Sequence, residues 1–144
     1  MRRLAIGMLL ACGHGTSAPD AMTGLCSDRA PLAPTFTNMQ KLFSSTCTVC
    51  HTQGVELDLA PSVSYGNLVG RTPPNYSNPL TDESCGGVLV APGDPASSYL
   101  YLKLTTTPCA GSQMPVSDIG TPAPLAACEL ALVHDWIAAG APND

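Results

Sequence analysis

At 144 residues the chain has room for one domain with its own core, and 44% hydrophobic content is ordinary for a globular protein. Aromatic content of 5%, with 14 prolines and 13 glycines, predicts short helices joined by long loops, a small core that needs a staple or a cofactor. The formal charge of −5 makes nucleic acid a poor partner, and seven cysteines are too many for an ordinary reducing-compartment chain without a metal to hold.

Residues 1–11 read as a signal peptide: Arg2 and Arg3 form a charged start, and residues 4–11 form an apolar run far too short to span a bilayer. The run ends at Leu9-Leu10-Ala11-Cys12, which resembles a bacterial lipoprotein signal, with Cys12 the acylated first residue of the mature chain. The alternative is a plain secretory signal with an incidental cysteine. Both predict export, to the periplasm or the cell surface, where disulfides persist. Loss of Arg2 and Arg3 leaves four basic residues against eleven acids, a net charge of −7. That charge suits a partner with a basic docking face, or only serves solubility.

Residues 12–34 carry no apolar period and many turn-forming residues, so they predict an acylated, flexible tether pinned to the domain at Cys26. About twenty extended residues at roughly 3.3 Å each give a reach of about 65 Å from a lipid anchor. The membrane is then met through the anchor alone.

The domain spans residues 35–144. Phe36, Met39, Leu42 and Phe43 form one apolar stripe and predict a short helix leading into Cys47-Thr48-Val49-Cys50-His51. A second short helix follows Ser62 with Tyr65, Leu68 and Val69; Val88, Leu89 and Val90 alone look strand-like. Asp94-Pro95 predicts an N-cap and first helical residue, opening a helix over residues 96–104. The last helix is expected from Pro122 or Pro124 to Ala139, with Gly140 as its stop. Leu125, Cys128, Glu129, Leu132 and Trp136 would share one face of it.

The C-x-x-C-H run is the attachment signature of one covalent haem c. Cys47 and Cys50 would add to the two vinyl groups as thioethers, and His51 would ligate the iron from directly beneath the ring. A thioredoxin-like dithiol would need a strand-then-helix setting and a lowered thiol pKa, and zinc would need a second ligand pair that the sequence lacks. Elimination points to Met114 as the sixth ligand: Met1 and Met8 leave with the signal, Met22 sits in the tether and Met39 lies on the core stripe. Met114, before Pro115 in a Gly-, Ser- and Pro-rich loop, is the one left, with an exposed loop methionine as the alternative. His134 is expected on the solvent face of the last helix and His14 in the tether.

The segments "FTNMQKLFSSTCTVCH", "YLYLKL", "QMP" and "LAACELALVHDWIAAGAP", in that order, resemble the small monohaem cytochrome c domain of exported planctomycete and myxobacterial proteins, over residues 35–142. The resemblance implies an all-α, cytochrome c-like fold with the first and last helices crossing beside the haem. It also implies electron transfer between redox partner proteins, with His51 and Met114 as axial ligands. The chain departs from the pattern in four extra cysteines and a long loop after His51. Those cysteines form an even set that allows three pairings, or stay free and buried; in the pairing of Cys85 with Cys109 the bond would brace the Met114 loop, and Cys26 with Cys128 would tie the tether to the last helix. No catalytic constellation stands out, so an electron carrier rather than an enzyme is expected. The alternatives are a haem-based sensor or small-ligand module, a haem subunit of a larger exported oxidoreductase, and a structural lipoprotein whose C-x-x-C is only a disulfide.

Overall fold

A computed structural model describes residue 26 and residues 31–53, 55–73, 87–105, 112–117 and 120–144. The expected signal, Cys12, most of the tether, Cys85 and Cys109 lie outside the described residues. Helix is the only regular structure of more than isolated bridges among those described, an all-α arrangement at that level. None of these helices is long and apolar enough to cross a membrane.

Helix α1, Phe36–Leu42, begins at Thr35, whose hydroxyl accepts from Asn38 N at 3.3 Å. It then widens into a π-helical turn, Phe43–Cys47, closed by Thr48 N donating to Phe43 O at 2.9 Å. The Ser44-Ser45-Thr46 run supplies a local reason for the widening. Ser45 Oγ donates back to Leu42 O and Thr48 Oγ1 to Ser44 O, competing with the backbone for those carbonyls. The predicted stripe is the buried one: Met39, Leu42 and Phe43 are in the core and Phe36 packs at its edge.

Helix α2, Ser64–Leu68, stands where the second helix is expected. The Val88-Leu89-Val90 run makes no strand; its two parallel bridges, Val69 to Val90 and Val88 to Ser98, are isolated. The helix expected over residues 96–104 is broken in two. Asp94 does cap, accepting from Ser97 N at 3.1 Å, but the product is a 3-10 turn, Pro95–Ser97. Ser98 is then extended (φ −93°, ψ 112°), its buried hydroxyl tied to Asp94 O and Ala91 N, and helix α3, Tyr99–Thr105, starts only after it.

Helix α4, Ala127–Ala138, starts later than either proline suggested. Pro122 and Pro124 disfavour helical backbone in the residues before them, and Pro122 is bridged to Val116. The effective start is Ala126 (φ −62°, ψ 152°), whose N–H donates to the buried carboxylate of Glu129 at 3.0 Å. Its end is as predicted: Gly140 takes φ +96°, Gly140 N donates to Ile137 O and Ala141 N to Trp136 O, the paired bonds of a Schellman stop.

Helix α1 packs against α4, and α3 against α4 from another side. Phe36 is the hinge pin of the first contact, with its ring 5.0 Å from Tyr65, edge on, and 5.7 Å from Trp136. The chain end closes over it. Trp136 Nε1 donates to Pro142 O, Tyr65 Oη to Ala141 O, and Asp144 accepts from Phe36 N and Thr37 N. A Cys26–Cys128 disulfide joins the segment before α1 to α4 across 102 residues of chain. A bridge of that kind contributes about 2–4 kcal/mol.

Candidate functional site

Cys47 is the last residue of the π-helical turn, half-buried against the core, while Cys50 is exposed. Cys47 O accepts from both Cys50 N (3.1 Å) and His51 N (2.9 Å), so the two thiols and the imidazole belong to one tight turn. Neither thiol forms a disulfide. Burial, reinforced by the Glu129 carboxylate, pushes the Cys47 thiol up to about 12. A thiol held neutral beside an anion is poorly suited to act as a nucleophilic dithiol. Nor do three or more His, Cys, Asp or Glu side chains gather into a cation site anywhere among the described residues.

His51 is half-buried and fixed from both ends. Its carbonyl accepts from Leu59 N at 3.0 Å, and its ring Nδ1 lies 3.1 Å from Leu57 O. A carbonyl only accepts, so Nδ1 carries the proton and Nε2 keeps the lone pair, the state in which an imidazole binds a metal. Leu57 O had no signal in the sequence, because a backbone acceptor has no residue type.

Met114 is half-buried and packs on the same hydrophobic core as Cys47, Leu57, Tyr99 and Leu100. Two bonds to the end of α3 hold its segment: Met114 N donates to Lys103 O at 2.8 Å and Gln113 Nε2 to Leu104 O at 2.9 Å. Met39 is fully buried, in keeping with a packing role. His134 is exposed on α4, with Nδ1 2.8 Å from Asp135 Oδ1 and its ring 5.5 Å from Tyr101. His14 and Met22 lie outside the described residues.

Val49, Val55 and Val63, at 81%, 45% and 40% exposure, are the exposed large apolar side chains among the described residues; Val49 lies within the Cys47–His51 turn and Val55 four residues after it. Two thiols outside disulfides, an imidazole whose Nδ1 is taken by Leu57 O and the exposed Val49 between the cysteines fit a flat apolar group that takes both sulfurs as thioethers and the nitrogen as ligand. The thioether of Met114, packed on the same core, is a further soft donor in the fold. No family model, curated protein or solved structure matches the chain.

Proposed function

We propose that this chain is an exported monohaem c-type cytochrome, tethered to a membrane through an acylated Cys12, that passes single electrons between partner proteins. The observation that carries the reading is the Cys47–His51 turn, in which both thiols are outside disulfides and Leu57 O fixes the imidazole as the Nδ1–H tautomer.

Cys47 and Cys50 would hold the haem, each thiol adding across one vinyl double bond so that nothing leaves. Haem, when held there, supplies a one-electron iron couple. His51 Nε2 and the Met114 thioether would hold the iron, a pairing that would favour the reduced state and exclude small molecules from it. No general acid, base or nucleophile enters. The net charge of −7 on the mature chain supports a partner with a basic docking face, chiefly through the encounter rate.

An absorption spectrum of protein made with a cytochrome c maturation system tests this reading. Expected are haem that survives denaturation and extraction, and a weak far-red Met-to-iron band in the oxidised form. Colourless protein overturns the haem assignment; a high-spin spectrum that takes up carbon monoxide replaces the carrier with a sensor or ligand-binding module.

A further inference from the structure

His51 takes its orientation from Leu57 O, so whatever holds residues 57–60 also sets the imidazole. Each carbonyl of that segment has a donor. Leu57 O takes His51 Nδ1, Asp58 O accepts from Asn67 Nδ2 at 2.8 Å, and Leu59 O accepts from Gln40 Nε2 at 3.1 Å. Ala60 O accepts from Ser64 N at 3.2 Å, and Ala60 N donates to Asp58 Oδ1 at 2.8 Å. The Gln40 amide is itself oriented, since its Oε1 accepts from the hydroxyl of the fully buried Ser64. One side chain of α1 and one of α2 therefore grip the two carbonyls that follow Leu57 O. Leu59, anchored in the core, locks the far end.

We propose that Gln40 and Asn67 are positioning residues for the proximal imidazole: they hold the 57–60 segment so that Leu57 O stays on His51 Nδ1 and only Nε2 faces the cofactor. This rests on the haem reading above. A hydrogen bond on the distal ring nitrogen makes the bound imidazole a better donor, which stabilises the oxidised metal and lowers the reduction potential. Loosening the segment weakens that bond and raises the potential. Gln40 contributes through its N–H, not its packing, so Gln40→Glu, which keeps an acceptor for Ser64 but loses the donor to Leu59 O, should act like Gln40→Leu.

The test uses haem-loaded full chain and two readouts, the reduction potential and the solvent exchange rate of His51 Nδ1–H by NMR in the diamagnetic reduced form. Gln40→Leu, Gln40→Glu and Asn67→Leu are each expected to speed Nδ1–H exchange several-fold and to raise the potential, by up to tenfold in the one-electron equilibrium or about 59 mV. Asp144→Ala, which removes the Phe36 N–H cap at the opposite end of α1, serves as the control for simple destabilisation and should move neither readout. Folded, haem-loaded variants with unchanged exchange and potential overturn the positioning role alone, as does an equal shift in Asp144→Ala. If Gln40→Leu does not fold, Gln40→Glu carries the same decision. A wild-type chain that takes up no covalent haem overturns the haem reading and this inference together.

Discussion

Residues 47–59 and residues 112–117, the two parts of the proposed haem site, are held in different ways. In the first, both sulfurs, the imidazole and its carbonyl partner fall within eleven residues. The side-chain amides of Gln40 and Asn67 brace the loop that follows. In the second, a single methionine sits in a non-helical segment, attached by two bonds to the last turn of α3 and, beyond the methionine, by Ala123 N donating to Pro115 O and Ser117 N to Thr121 O. A local motif carries its own geometry, because a short turn leaves few ways to arrange it. A lone donor from a distant loop depends on whatever element lies beside it. The first side should therefore be all-or-none under mutation, and the second graded.

The largest effect expected is at the turn. Cys47→Ser with Cys50→Ser removes both linkages, and the product should carry no haem that survives acid extraction, read by pigment retention on a denaturing gel. Covalent pigment in the double variant would break the comparison at its base. Next comes Met114→Ala. Haem should stay covalently attached, since the turn is untouched, while the far-red band disappears, the potential falls and carbon monoxide binds the reduced form. An unchanged spectrum would mean that the second side of the site is built from another residue.

These two sides were also unequally legible in the sequence. Cys47, Cys50 and His51 are a fixed spacing whose chemistry is written in residue types, and the α1 stripe before them follows from period alone. The Gly140 stop is legible for the same reason, because φ +96° suits glycine. Helix starts were less so. Asp94-Pro95 is a true cap, but nothing local reveals that Ser98 would be drawn into a bridge with Val88 and divide the helix. Pro122 and Pro124 look like first helical residues, yet Ala126 is still extended and α4 starts at Ala127, where the Glu129 carboxylate takes the Ala126 N–H. Leu57 O, Gln40 and Asn67 were invisible, since a bond over 19 residues from an amide to a carbonyl leaves no pattern.

A smaller effect separates the two cysteines of the turn. In chain made without haem, the exposed Cys50 should alkylate faster than Cys47, whose thiol is pushed by burial up to about 12 from an ordinary 9.0. The raised value is a stability statement too. Below pH 9 the contribution is fully present; as pH rises from about 9 towards 12 the unfolded thiol ionises and the folded one does not, so stability falls by about 1.4 kcal/mol per unit. Cys47→Ser should remove that part of the alkaline slope, and Glu129→Gln should reduce it slightly. Equal alkylation of both cysteines by mass spectrometry would show that the turn is not closed before the cofactor arrives.

The smallest effect tests whether the second side is as dependent on α3 as its two bonds suggest. Asp94 is exposed, and its carboxyl is held below the usual range by accepting hydrogen bonds from Ser97, side chain and backbone. A depressed value means that its contribution is present above pH 3.8 and is lost as pH falls through the folded pKa. The cap orders the 3-10 turn that feeds Ser98 and then α3, whose last turn supplies Lys103 O and Leu104 O to the Met114 segment. Asp94→Ala should therefore soften the Met114 side alone. The Met-to-iron band should be lost at a slightly lower temperature and a slightly higher acid pH than in wild type, while His51 Nδ1–H exchange is unchanged. Equal loosening at His51 would mean that the two sides share one support, and that the division between a self-contained turn and a dependent loop does not hold.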